Sequence, residues 1–196
     1  WSAGTLLDAG GTTYTAGVQS ESYFPTGFNP YTEFASFASQ GLVHTQGTTL
    51  VIPSGFLMDT TTTDRVDRMR VEGTLRGSSF IASKGGVEVA PGGLWDVYSS
   101  YLNVETDCAV YGGLLDSNAH MYVGKSGSPT VTFTQTGGSV RVGTWPSNPS
   151  YYDLLLDYGA RYEMSGGELW VADDLELKNG SVFQWTGGTV STSDII

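Results

Sequence analysis

In the C-terminal half of the chain, short runs alternate apolar and polar positions with a period of two, and turn residues separate them. Glu168-Leu-Trp-Val-Ala puts Leu169 and Val171 on one face; Leu175-Glu-Leu177 and Ser181-Val-Phe-Gln-Trp185 repeat the pattern. Asp173-Asp174 and Lys178-Asn179-Gly180 lie between these runs as turns, and Thr186-Gly187-Gly188 closes the circuit. Alternation over three to five residues predicts strands with one buried face, and three such strands with three corners make about one coil of a β-helix.

The circuit recurs. Gly-Gly pairs at 92–93, 112–113, 137–138, 166–167 and 187–188 stand 20, 25, 29 and 21 residues apart. Apolar side chains follow at the third and fifth positions after the first glycine: Trp95 and Val97, Leu115, Val140 and Val142, Leu169 and Val171, then Val190. A unit of this length with a fixed glycine turn predicts a stacked array, with glycine supplying the positive φ that sharp corners demand. The stretches Gly124–Pro129 and Trp145–Ser150 read as external loops, which a solenoid tolerates because they leave its stacked core untouched. Looser runs continue upstream to Thr48, so residues 42–196 predict an all-β, right-handed parallel β-helix. It would have about seven irregular coils and a length on the order of 35 Å.

Residues 1–41 break the pattern. Asn29-Pro30, then Tyr31, Phe34 and Phe37 at helical spacing, and Gly41 after Gln40 predict a short amphipathic helix. Such a helix can cap the open end of a β-helix. A further pair, Gly10-Gly11, makes residues 1–28 either a detached first coil or an arm that pairs with another chain.

The Gly-Gly-x-apolar-x-apolar coils written in residues 132–140, 162–169 and 182–190 resemble the parallel β-helix repeats of bacterial autotransporter-like and related surface proteins. The resemblance spans about residues 85–190. It implies the fold and an extracellular setting, not an activity.

Composition narrows the function. Glycine makes up 27 of 196 residues, roughly twice its usual share, while charged residues are only 15% and aromatics 12%. That excludes both a disordered chain and a helical bundle. Twenty acids against nine bases leave a net charge of −11, so no basic stripe exists to neutralise nucleic acid or anionic membranes. No apolar stretch approaches the ~20 residues of a membrane span. The chain begins at Trp1 with no visible signal peptide, and it reads as a mature, secreted product or an excised segment. The single cysteine, Cys108, falls on the apolar phase of its strand and reads as core.

Candidate chemistry is sparse. Asp64, Asp67 and Glu72 with Arg65, Arg68, Arg70 and Arg76 could serve as acid and base on a sugar. No carboxylates recur at the same phase in neighbouring coils, so a mixed-charge loop or partner contact is the stronger reading. Asp173-Asp174 is a candidate Ca²⁺ position, although the Gly-Gly-x-Gly-x-Asp repeat of calcium-binding β-rolls is missing. His44 and His120 stand far apart, and no phosphate loop or dinucleotide fingerprint occurs, so no cofactor is expected. The aromatics Tyr98, Tyr101, Tyr111, Tyr122, Trp145, Tyr151, Trp170 and Trp185 would form either a glycan-stacking face or ladders between coils. Trp170, opposite in phase to Leu169 and Val171, is the expected outward anchor. The chain closes on Ile195 and Ile196, apolar and uncapped.

These features predict a non-enzymatic extracellular structural protein. Its copies would join head-to-tail through the N-terminal arm and the open last coil, with residues 64–76 facing the acidic C-terminal third. A glycan-binding surface adhesin is the alternative, and a polysaccharide lyase or hydrolase the third reading.

Overall fold

The computed structural model describes residues 5–7, 13–15, 49–52, 54–55, 57–59, 68–77, 80–81, 86–98, 101–127, 129–143 and 151–196. These contain twenty strands and no helix. An N-terminal pair, β1 (Thr5–Leu7) and β2 (Thr13–Thr15), precedes the stack. The layers then follow as β3 (Thr49–Ile52) and β4 (Leu57–Asp59); β5 (Arg68–Val71), β6 (Thr74–Gly77) and β7 (Phe80–Ile81); and β8 (Val87–Val89), β9 (Leu94–Val97) and β10 (Tyr101–Val104). Next come β11 (Cys108–Ser117) and β12 (His120–Val123), then β13 (Thr132–Val142) and β14 (Leu154–Leu156). The last two layers are β15 (Arg161–Met164), β16 (Glu168–Val171) and β17 (Asp174–Leu177), then β18 (Val182–Trp185), β19 (Thr189–Ser191) and β20 (Asp194–Ile195).

Every pairing between layers among the described residues is parallel, with a register shift in β11–β13, giving three sides. Side one runs β3-β5-β8-β11-β13-β15-β18, side two β4-β6-β9-β11-β13-β16-β19, and side three β7-β10-β12-β14-β17-β20. The expected all-β solenoid is thus present, with about five turns against the expected seven. The difference lies at the ends. The β3–β4 layer has two sides among the described residues, and the β18–β20 layer is covered on one face only.

The register stacks like upon like, which is why short strands suffice. On side one the inward column reads Met69, Val87, Cys108, Phe133, Tyr162 and Phe183. On side two it reads Leu75, Trp95, Leu115, Val140, Leu169 and Val190. On side three it reads Leu102, Met121, Leu154, Leu175 and Ile195. Most of these side chains are buried in one continuous core, Trp95 completely. Cys108 belongs to that column, and burial pushes its thiol up to about 12, so it packs as a hydrophobe.

Among the described residues two polar side chains enter the core, Ser117 and Gln135, and the larger is bonded through both its oxygen and its nitrogen. Gln135 accepts the Tyr162 hydroxyl at 2.7 Å and donates to the Glu168 carbonyl at 2.9 Å, linking sides one and two across successive coils. Both side chains are completely buried, so removing either partner would strand the other.

The Gly-Gly pairs form the corner between sides one and two. At 112–113 and 137–138 the strand does not stop; β11 and β13 run through the pair, with register shifts around Tyr111. The second glycine of each pair lies against backbone of the coil before it: Gly138 against Gly113, Gly167 against Gly138, Gly188 against Gly167. No side chain fits there. The glycine repeat is therefore a steric requirement of stacking, with positive φ needed only at some of its members.

Residues 1–28, expected as a first coil or a free arm, contribute β1 and β2, an antiparallel pair laid against β3 within the same chain. The expected helix over residues 29–41 lies outside the described residues.

Candidate functional site

The final layer is where the core columns reach the surface. Phe183 and Val190 are partly buried against the core, while Trp185, in line with Met164, is 53% exposed. Ile195, in line with Leu175, is 52% exposed, and Ile196 is 63% exposed. Phe183, Trp185, Val190 and Ile195 take inward positions of the same period that buries Tyr162, Met164, Leu169 and Leu175 one coil earlier, whereas Ile196 falls on the outward phase. The backbone is held firmly: Leu177 N–H donates to the Ile196 carbonyl at 2.7 Å and Ile196 N–H to the Leu175 carbonyl at 3.0 Å. The layer is a formed coil with an apolar upper face.

Beside it runs an aspartate column on the outward phase of side three. Asp174 pairs in register with Asp194, and Asp153 stands one strand earlier, its Oδ1 accepting the Asp174 N–H at 3.3 Å. Carboxylate oxygens of Asp153, Asp173 and Asp174 all lie within 4.8 Å of one another, close enough to share a cation. Partial desolvation, then the facing charges of Asp173, Asp194 and Glu176, raise the Asp174 carboxyl above its ordinary value. The sign is fixed: a raised folded value adds stability below about pH 4, and that contribution is lost as pH rises through the folded value. With chelator present, Asp174→Asn is therefore expected to raise the melting temperature at pH 7 and flatten its acid-side pH dependence. Thermal denaturation at several pH values checks this, and a lower melting temperature would contradict it.

From the sequence, Asp153 belongs to the same acidic C-terminal third as Asp173 and Asp174, but only the adjacent pair stands out as a cation position; the structure brings all three together. The signal was available: Asp153-Leu-Leu-Leu156, Asp174-Leu-Glu-Leu177 and Asp194-Ile-Ile196 each open a side-three strand with aspartate.

The aromatics of side three hold one another. Tyr101 stacks on His120 with centroids 5.8 Å apart and lies 5.7 Å from Tyr122; the edge of Tyr152 meets His120 at 5.3 Å. Tyr101 and His120 are stacked while Tyr122 and Tyr152 meet them tilted or edge-on, so these rings contact one another between successive coils. His120 Nδ1 accepts the Asp153 N–H at 3.1 Å, which places the neutral ring's proton on Nε2. The same Nδ1 lies 3.4 Å from Asp153 Oδ2, a contact that becomes an ion pair only when the ring is protonated.

The basic cluster is engaged within the chain. Arg70 bridges Glu72, at 2.8 Å, and Glu88 of the next layer, and the Glu72 bond raises its guanidinium above the ordinary value. Arg76 Nε meets Asp96 Oδ2 at 2.9 Å on side two. The outward column there continues through Asp116, Arg141 and Trp170. Burial and the adjacent Asp96 raise the Asp116 carboxyl, with Arg141 opposing. Trp170 faces outward as its phase predicts, half-buried in this charged row. Arg68 lies on the outward face of side one. Tyr31, Phe34, Phe37, Arg65, Asp64 and Asp67 lie outside the described residues. No helix among the described residues is long and apolar enough to cross a membrane.

Comparison with protein families, curated proteins and solved structures finds no match to this chain.

Proposed function

We propose that this chain is a non-enzymatic structural β-solenoid of the cell exterior whose copies continue one another's coils head-to-tail. The observation that supports the reading is the stack itself, in which parallel layers pair backbone to backbone along three sides and each layer is a template for another. Edge strands and open apolar layers are templates for further strands. The direction of the strands suits this. Because β1 is antiparallel to both β2 and β3, β2 runs the same way as β18. The two edges of side one can therefore meet in a parallel pair between copies, without reversing either chain. Such a contact is heterologous and does not close, so it propagates as a filament.

Three of the features expected at the joint now carry different weight. The N-terminal segment takes part as a paired edge strand and not as a loose arm. Arg70 and Arg76, already ion-paired within the chain, add little to a charge contact with the acidic C-terminal third. The likeness of the repeats to autotransporter-like surface proteins supports the extracellular assignment. The enzyme reading draws no support from side-one charges that are engaged with one another.

The test is Trp185→Glu. It places a charge on the half-exposed layer without touching the buried coils. Sedimentation and negative-stain microscopy are expected to show the parent chain assembling with rising concentration and the variant remaining monomeric, with an unchanged circular dichroism spectrum. Equal assembly of both would reject the joint.

A further inference from the structure

The outward face of side one contains a notch unrelated to the end of the stack. Its central outward column runs Arg70, Glu88, Ala109, Thr134 and Glu163 in register. Glu88 stands on one side and Thr134 on the other, and the row drops to a methyl group at Ala109 between them. The result is a cavity of about 360 Å³ with Ala109 at its floor, bounded by Glu88, Asp107, Tyr111, Thr132 and Thr134. That volume lies at the small end of the ligand-pocket range.

The lining has a definite chemistry. Tyr111 is 45% exposed, and the register shift in β11 sets it opposite Gly137, which has no side chain to cover the ring. The residue after Val89 in the preceding layer, Ala90, is also small. Tyr111 therefore differs from Tyr101 and Tyr122, whose rings lie against neighbouring aromatics. Around it stand the Thr132 and Thr134 hydroxyls and two carboxylates already fixed in place. Asp107 Oδ1 accepts the Thr132 N–H at 2.7 Å, and Glu88 is held by Arg70. Arg68 is the one guanidinium of the lining, and Arg70 engages Glu88 from outside it, so the two lining carboxylates leave the cavity weakly acidic and unsuited to an anionic ligand.

The geometry points to a subsite for one ring of a neutral glycan, a pyranose lying against Tyr111. Its hydroxyls would meet Glu88, Asp107 and Thr134. An aromatic wall with rigid, mutually oriented acceptors suits an uncharged polyol, whose weakly polar ring face covers the tyrosine and whose hydroxyls replace water at the rim. A strongly acidic sugar would meet Glu88 and Asp107 as like charges. The inference concerns a face separate from the proposed joint between copies and stands whether or not copies assemble.

Saturation-transfer NMR of the full chain tests it, with cello-, xylo-, manno- and malto-oligosaccharides as probes and an oligogalacturonate as the acidic control. At least one neutral probe is expected to bind at millimolar concentration. Ala109→Leu, which fills the floor from the solvent side, is expected to weaken that binding by about tenfold or more, as is Tyr111→Ala. Circular dichroism on both variants separates loss of the site from loss of the fold. The inference is overturned if no neutral probe binds, if only the acidic control binds, or if folded Ala109→Leu binds as tightly as the parent.

Discussion

Gly138→Ala is expected to destabilise the solenoid severely, by about 3 kcal/mol or more, although it adds one methyl group to a solvent-side corner. Two effects combine. The residue has φ +67°, a region that costs a non-glycine residue about 1–3 kcal/mol. The new Cβ would also fall on the Gly113 carbonyl oxygen and within 2.8 Å of the Gly113 nitrogen, both rigid backbone. Relief requires separating two coils, which breaks the parallel ladder of β11 and β13 on both sides of the corner. Gly180→Ala is the matched control. It has φ +77° but nothing within 4 Å of the added methyl, so only the conformational cost of about 1–2 kcal/mol applies. Chemical denaturation of the two variants reads the difference. Equal losses would mean that the glycine corner is a matter of φ and not of stacking distance.

The second large effect is Trp95→Ala. Trp95 is fully buried in the side-two column between Leu75 and Leu115, in the interior of the stack. Removing an indole from such a position costs about 3–5 kcal/mol, from lost burial and from the cavity that remains. At about 2–4 °C per kcal/mol for a chain of this size, the melting temperature should fall by roughly 6–20 °C. Thermal unfolding followed by far-ultraviolet circular dichroism checks it. A drop of only a degree or two would show that neighbouring coils collapse into the space, and that the column is not rigidly stacked.

These two sites also show what a reader of the sequence alone can and cannot see. Trp95 was legible as core because it holds the same place after its glycine pair as Leu115, Val140 and Leu169. Period-two alternation then assigns all of them one face. Gly138 was legible as a corner but not as a contact: its closest neighbour is Gly113, 25 residues earlier, and only stacking brings them together. The aspartate column failed for a related reason. Asp173-Asp174 is conspicuous as a pair, whereas Asp153 joins it only once side-three strands are aligned across an insertion of irregular length. The Gln135–Tyr162 bond crosses 27 residues and puts an amide on an inward phase, which alternation alone would assign to an apolar side chain. The N-terminal segment carried one Gly-Gly pair, Gly10-Gly11, which suggested another coil, so the antiparallel direction of β1–β2 could not be anticipated. Local periodicity thus reports the strands and their inward faces; what is lost is everything set by the variable number of residues between corners.

The notch at Ala109 was hidden in the same way. It arises where one small outward residue falls between Glu88 and Thr134 in register, a coincidence of three different coils.

The central claim is that coils continue from one copy to the next. Electron microscopy combined with fibre diffraction of the concentrated, purified chain tests it most directly. Unbranched filaments with a meridional spacing of about 4.8 Å, the distance between stacked parallel strands, are the predicted result. A monomer at every concentration, or filaments whose strands run along the fibre axis, would contradict the account.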